Sequence, residues 1–389
     1  MWVDSHLDNK VGYFLHIEAS TKCNAACPFC SRYLSNTPNV NPDLRLVDLT
    51  VDKLDKWLGP TILKKVNTVL FCGNFGDPIV NPHLEDILEY ILNINSNINI
   101  YFSTNGGARN SKFWKNIANL LSKFKSAHMV FSIDGLEDTN HLYRRRVQWH
   151  RVMENARNFI EAGGHAEWQF LVFKHNQHQV EEARTLSKNL GFKQFTVKNP
   201  TGMEDVLSKT YFSNPVFDKD GKHLYNIDQA DHLIRPDFKY NGIRGHKHLD
   251  LNSSLEVTDY NFDKSKYDFL NSFDIDCSVK DINNRGLYLT ADGHFFPCCW
   301  MGYYSQIIVD SDQALDLYDK IGGRDGCNLN YFSFQEIFQK WEEHFVSKWN
   351  KSIENGKCLV CSYTCGIQNP NYIFEDEKLD SFKEKPKLI

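Results

Sequence analysis

The sequence predicts an α/β protein, a partial (β/α)6 barrel followed by a smaller, cysteine-bearing C-terminal domain. From Tyr13 to about Lys198, short β-branched or apolar runs alternate with longer segments of helical spacing. That alternation is the signature of strand–helix units wound around a parallel sheet. Four segments with chemically useful side chains each follow a strand candidate directly, as expected of an active end where strand C-termini meet. Six of the eleven cysteines also gather into C-x3-C-x2-C near the start and C-x2-C-x3-C near the end. In a chain without export signals such clusters suggest metal ligation more than disulfides.

The strand candidates are Tyr13 to Glu18, Thr68 to Cys72, Asn99 to Ser103, Met129 to Ile133, Glu167 to Phe173 and Phe195 to Lys198. Helical spacing predicts helices at Val51 to Lys65, Pro82 to Ile94, Ser111 to Phe124, Val147 to Ala162 and Gln177 to Leu190. Gly163-Gly164 and Gly191 stand where helix C-caps are expected. Six units are fewer than the eight of a closed barrel, so an open barrel over residues 13–205 is predicted, after a short lead at 1–12. Residues 206–275 read as a polar, aromatic-rich connector with a hairpin around Asp220-Gly221. The C-terminal unit, 276–370, opens with the hairpin-like RGLYLTADGHFFPCCW and contains a helix at about Ser333 to Lys348. The remaining tail, 371–389, is charged from Glu375 onward and is expected to be mobile.

With 389 residues, 41% hydrophobic and 24% charged, the chain has the balance of an ordinary globular protein of two domains. A net charge of −5 gives no general attraction to nucleic acid or anionic lipid. The N-terminal stretch is too polar for a signal peptide, and no segment approaches the roughly 18 apolar residues of a membrane span. A cytoplasmic protein without membrane or nucleic-acid partners is expected.

Cys23, Cys27 and Cys30 lie on a loop after the first strand, with Phe29 before the last cysteine. Thiolates are soft ligands, and three within eight residues can occupy three irons of a cubane cluster and leave the fourth open. A zinc site or three buried thiols is the alternative; a closed zinc site wants a fourth ligand nearby. The spacing, its place and the aromatic resemble the signature of the radical S-adenosylmethionine (radical SAM) superfamily. That resemblance implies that S-adenosylmethionine chelates the open iron of a 4Fe–4S cluster. One electron then cleaves it to methionine and a 5′-deoxyadenosyl radical, which takes hydrogen from a substrate carbon. The protein places that carbon and excludes competing reactions.

Three further segments resemble the family's cofactor-binding motifs. Phe71 to Pro78 is similar to the glycine-rich segment that binds the methionine amino group, with Asp77 where Glu is usual and Gly76 permitting close backbone approach. Ser103-Thr104-Asn105-Gly106 and Ser132-Ile133-Asp134-Gly135 follow the third and fourth strands. Ser103, Asn105, Ser132 and Asp134 offer hydroxyl, amide and carboxylate groups for ribose or for the methionine carboxylate. Arg144, first of three consecutive arginines, is a candidate partner for that carboxylate. Cys72 reads as a core residue.

Downstream, Cys277, Gly293 and Cys298 are spaced like the opening of the auxiliary-cluster domains called SPASM and, when shortened, Twitch. Cys358, Cys361 and Cys365 supply further ligands, and no cysteine follows. The resemblance therefore implies one auxiliary 4Fe–4S cluster. Cys277, Cys298, Cys358 and Cys361 form the simplest set, with Cys365 able to replace one of the last two; Cys299 and Cys327 leave a second cluster open. A zinc ribbon is the structural alternative. None of the fifteen histidines shows a pairing such as H-E-x-x-H.

The resemblance gives a mechanism without a substrate. SPASM and Twitch relatives include peptide maturases and alcohol dehydrogenases acting on sugars or aminocyclitols. The 22 residues before Cys23 have no room for an N-terminal peptide-recognition domain, so a small-molecule substrate is favoured over a peptide. An electron donor such as flavodoxin or ferredoxin is the implied partner. The reading outside enzymes is an iron–sulfur or zinc protein that senses redox state or scaffolds partners.

Overall fold

The structure, a computed structural model, describes residues 11–198, 200, 213–231, 270–272, 274–307 and 311–365. The lead before residue 11, most of the connector and the tail from Glu375 lie outside the described residues. Six parallel strands form the predicted sheet: β1 (Tyr13–Glu18), β2 (Val66–Phe71), β3 (Asn99–Thr104), β4 (Ser126–Ser132), β5 (Ala166–Leu171) and β6 (Gln194–Lys198). Two more extend it beyond β1. β9 (Arg285–Thr290) runs parallel to β1, and β10 (Phe295–Phe296) runs antiparallel to β9, giving the order β10-β9-β1-β2-β3-β4-β5-β6. The α/β class and the largely parallel sheet are as predicted, and the C-terminal hairpin is part of that same sheet.

The helices between the strands are α1 (Val51–Trp57), α2 (Gly59–Leu63), α3 (Leu84–Ile94), α4 (Ser111–Leu121), α5 (Asn140–Tyr143), α6 (Trp149–Glu161) and α7 (Val180–Leu190). The single helix expected from Val51 to Lys65 is broken into α1 and α2. Gly59 takes φ +56°, and Pro60 lacks the N–H that would continue the ladder. Gln177–Gln179 forms a 3-10 turn ahead of α7, which therefore starts later than expected. Caps fix the other boundaries. Thr50 and Asn110 accept hydrogen bonds from Lys53 N and Phe113 N, and Gly191 closes α7 at φ +92°.

Strand alternation sorts the two sheet faces. Tyr13, Leu15 and Ile17 of β1, Val69 and Phe71 of β2, Met129 and Phe131 of β4, and Trp168 and Phe170 of β5 are fully buried with the helices. Their neighbours His16, Glu18, Cys72, Ser103, His128, Ser132 and Glu167 consequently fall on the opposite, concave face. Trp114 and Trp168 anchor the helix-side core at 0% exposure, where truncation to alanine costs about 3–5 kcal/mol.

An antiparallel hairpin, β7 (Ser213–Phe217) and β8 (His223–Asp228), turns at Gly221 (φ +83°) as the Asp220-Gly221 signal predicts. It seats on the loop beyond Cys30, where Phe217 N donates to Asn36 O (3.3 Å) and Asn36 Nδ2 to Pro215 O (3.1 Å). The C-terminal helices are α8 (Cys299–Gln306), α9 (Asp312–Ile321), α10 (Phe334–His344) and α11 (Leu359–Cys365). A Ser333–Glu336 capping box starts α10, and its sequence range is close to the one predicted.

Candidate functional site

The loop after β1 carries Cys23, Cys27 and Cys30 across the carboxyl end of the sheet. Two backbone bonds fix it, Ala26 N to Arg145 O (2.9 Å) and Asp77 N to Lys22 O (2.9 Å), with Tyr33 OH donating to Ala25 O. Passage over the second strand's loop requires glycine. A Cβ on Gly76 would stand 1.6 Å from the carbonyl oxygen of Ser20. The three thiols lie within electrostatic range of one another, and none is in a disulfide. Burial first, then mutual repulsion, pushes Cys30 up to about 11; burial and the Asp77 carboxylate hold Cys23 well above the usual thiol range. Burial also raises Cys27, against the lowering influence of Arg144. Three such thiols ionise together only against a strong local positive charge, which fits a metal cluster.

Around them the strand ends supply a polar frame. Asn105 Nδ2 approaches Cys23 Sγ at 3.7 Å, and its amide pairs reciprocally with Asn24 (2.9 and 3.1 Å). Asp77 is buried and fully engaged. It accepts from Thr104 Oγ1 (2.9 and 3.1 Å), Asn105 N (2.8 Å), Asn105 Nδ2 (2.6 Å) and Ile79 N (3.2 Å). Burial raises its carboxyl, and these donors counter the shift.

Arg144 donates from Nε to Asp134 Oδ2 at 2.5 Å and from Nη1 toward Cys27 Sγ at 3.7 Å. Asp134 is fully buried and takes Leu171 N on its other oxygen at 2.7 Å. Ser103, next to last in β3, and Ser132, the last residue of β4, lie on the concave face, Ser103 beside Cys72. Phe29 instead turns into an apolar cluster with Tyr143 (ring centroids 5.9 Å apart) and Phe173. Cys72 departs from its expected place in the core. It follows Phe71 by one residue, so it faces the concave side near Ser103 and Cys299, with burial raising its thiol to about 12.

Glu18 went unrecognised in the sequence. It ends β1 at 0% exposure, accepting Phe75 N (2.8 Å) and Gly76 N (2.9 Å) on Oε1, and Tyr288 OH and Gln306 Nε2 (both 2.7 Å) on Oε2. One carboxylate thereby joins the glycine-rich loop to the C-terminal unit. An acidic residue closing the apolar strand YFLHIE, in phase with His16, was its only sequence signal.

The later cysteines also converge. Cys277, Cys298, Cys361 and Cys365 line one cavity, otherwise apolar, with Pro297, Met301, Phe345 and Trp349 among its walls. Cys361 and Cys365 are four apart on α11 and so share a face. Cys358 is fully buried beside Cys361 but does not line the cavity. Cys299 points the other way, toward Glu18 and Cys72, and Cys327 contacts Trp341. Four thiols around a common space have the donor number and softness that a 4Fe–4S cluster or a closed zinc site needs.

Fold and site together describe an α/β protein with two groups of thiols suited to metal ligation, the first at the carboxyl ends of parallel strands. Residues 17–187 match the family described as the radical SAM superfamily. Residues 17–187 thus form a radical SAM domain, of a family that uses S-adenosylmethionine and a 4Fe–4S cluster. No curated protein matches the sequence. Among solved structures, SuiB of Streptococcus suis bound to S-adenosylmethionine is 15% identical, with 75% of this chain and 61% of that chain covered and a TM-score of 0.42. The chain thus spans 61% of the SuiB length. His6-tagged anSMEcpe with bound AdoMet is 16% identical over 95% of this chain and 88% of that one, TM-score 0.46. Methylornithine synthase (PylB) is 14% identical over 51% and 56%, TM-score 0.35. No described helix is long and apolar enough to cross a membrane.

Proposed function

We propose that this protein is a radical SAM oxidoreductase that takes hydrogen from a small-molecule alcohol or sugar and passes an electron to an auxiliary 4Fe–4S cluster. The observation that carries this reading is the divergence of two consecutive residues. Cys298 lines the C-terminal thiol cavity, while Cys299 borders Glu18 and Cys72 on the concave face. A second redox centre there would lie one residue along the chain from a side chain that faces the barrel interior, the side from which a substrate radical's electron would come.

Cys23, Cys27 and Cys30 would hold the first cluster, and Cys277, Cys298, Cys361 and Cys365 the second, with Cys358 packed behind Cys361. When bound, the first cluster supplies one electron to the sulfonium of S-adenosylmethionine, releasing methionine and the 5′-deoxyadenosyl radical. The chain's own groups do the positioning. Asp77 is committed to protein donors, so its part is to hold Asn105 and the loop at Gly76, leaving nearby backbone carbonyls for the ammonium group. Ser103 and Ser132 would meet ribose hydroxyls. Arg144, steered by Asp134, would face the cofactor carboxylate, and Phe29 would brace the loop from behind. In this reading residues 13–205 are the barrel, 206–275 the connector and 276–370 a SPASM/Twitch-type unit, reduced by a flavodoxin- or ferredoxin-like donor in the cytoplasm.

The β7–β8 hairpin is anchored beside Arg144, on the segment that follows β4. Arg145 Nη1 donates to Phe217 O (2.9 Å), and Tyr225 OH to Leu142 O (2.7 Å). Anaerobic reconstitution should give about eight irons per chain and dithionite-dependent 5′-deoxyadenosine. Zinc without iron, or no 5′-deoxyadenosine, would sink the reading. Deuterium transfer into 5′-deoxyadenosine from labelled polyols, against labelled peptides, decides the substrate class.

A further inference from the structure

The base of the barrel holds a cluster that the radical chemistry does not use. His128 lies in β4, His165 immediately precedes β5 and Glu167 is the second residue of β5, all toward the concave face. His128 Nδ1 stands 2.8 Å from Glu167 Oε1, and His165 Nε2 stands 3.3 Å from the same oxygen. One ligand atom from each of the three lies within 4.8 Å of the others. A tetrahedral ion with bonds of about 2.0–2.2 Å sets its ligand atoms roughly 3.3–3.6 Å apart, so small side-chain rotations suffice.

We propose that His128, His165 and Glu167 form a binding site for a divalent transition-metal ion, with zinc as the best-suited case. Two imidazoles and a carboxylate are a borderline-soft nitrogen and oxygen donor set, which favours zinc, iron(II) or cobalt(II) over magnesium or calcium. The site is braced and reachable. Tyr101 stacks on His128 (centroids 4.9 Å, 19°), Met129 N donates to His165 O (2.9 Å), and the three side chains retain 24%, 39% and 18% exposure. The two strands supply ligands from adjacent positions, so the ion would pin β4 to β5 at the amino end of the sheet. Three protein ligands leave an open position for water or a small anion.

The site is separate from the radical centre. From His128 to Ser132, at the opposite end of β4, the strand rises about 13 Å. The ion therefore has a structural or regulatory role, and the inference holds whether or not the proposed substrate class is right. Its sequence signal is His165-Ala166-Glu167. Residues two apart share one face of a strand, whereas the helical H-E-x-x-H pattern places its ligands four apart.

The test uses the anaerobically reconstituted full chain, equilibrated with Zn(II), desalted, and assayed for zinc and iron by mass spectrometry, with zinc-edge X-ray absorption. About one zinc per chain with only nitrogen and oxygen neighbours is expected, and His165→Ala and Glu167→Gln should each weaken zinc affinity about tenfold or more with iron unchanged. Added Zn(II) should raise the melting temperature of the parent protein but not of Glu167→Gln, the isosteric variant that guards against misfolding of His165→Ala. Equal zinc retention in parent and variants, or sulfur in the zinc shell, would overturn the proposal and leave a hydrogen-bonded His–Glu–His trio.

Discussion

The two cysteine sites differ in what surrounds the sulfur. At the mouth, three thiols sit on a loop framed by Asn105, Asp77, Asp134 and Arg144. In the C-terminal unit, four thiols line a cavity walled by Phe345, Trp349, Met301 and Val360. Three thiols in a polar frame leave a coordination position and the groups to orient what fills it. Four thiols in an apolar wall leave neither. In the proposed reading, that contrast separates a centre that would bind its reactant from one that would hold charge. The two are tied together, because Glu18 links the glycine-rich loop to Tyr288 and Gln306, and Arg45 links the segment after the first loop to Asp325 (3.0 Å).

The largest expected effect breaks the comparison at the mouth. Cys23→Ala should abolish 5′-deoxyadenosine formation while about half the iron remains, whereas Cys298→Ala should keep that activity in part and lose product formation; product assays with iron counts check both. Next, Arg144→Met leaves Asp134 buried without its partner. A loss of about 3–5 kcal/mol is expected in urea unfolding, discounted somewhat because Arg144 is 15% exposed.

Gly76→Ala drives a methyl against the Ser20 carbonyl, so the loop must shift. A stability loss of about 1–3 kcal/mol and weaker S-adenosylmethionine binding, read by calorimetry, are expected. A smaller effect sharpens the second site. Cys358→Ala should retain the auxiliary cluster's spectrum, and Cys365→Ala should lose it, by electron paramagnetic resonance of the reduced protein.

The smallest concerns pH. His294 is buried between Asp292 (3.0 Å) and Asp325 (2.9 Å). Burial lowers its pKa, but the two carboxylates outweigh that and raise it above the ordinary histidine value. A raised folded-state pKa means stabilisation that is complete below the unfolded histidine value and is lost as pH rises through the folded one. Thermal melts across that window should fall for the parent protein and flatten for His294→Gln.

Much of the site is legible in the sequence because it lies in short local patterns. C-x3-C-x2-C, the glycine-rich segment and the strand-end turns each need only nearby residues, and alternation fixes which face they take. The far cysteines are less legible. Cys358, Cys361 and Cys365 are equally good donors on paper, and only the helical phase of α11 and the packing of Met301, Phe345 and Trp349 bring Cys361 and Cys365 to one cavity. Asp77 reads in the sequence as a cofactor contact, and the five hydrogen bonds it accepts from protein groups are supplied only by the fold.

The sequence by itself determined the α/β class, the order of strands and helices through Lys198, and the clustering of the first thiols, because periodicity and spacing are local. The tertiary structure alone decided that β9 pairs with β1, that Glu18 joins the two units, and that His128 meets His165 and Glu167. Each of these is a contact between residues far apart in the chain or on neighbouring strands, set by sheet register and burial, which no local pattern encodes.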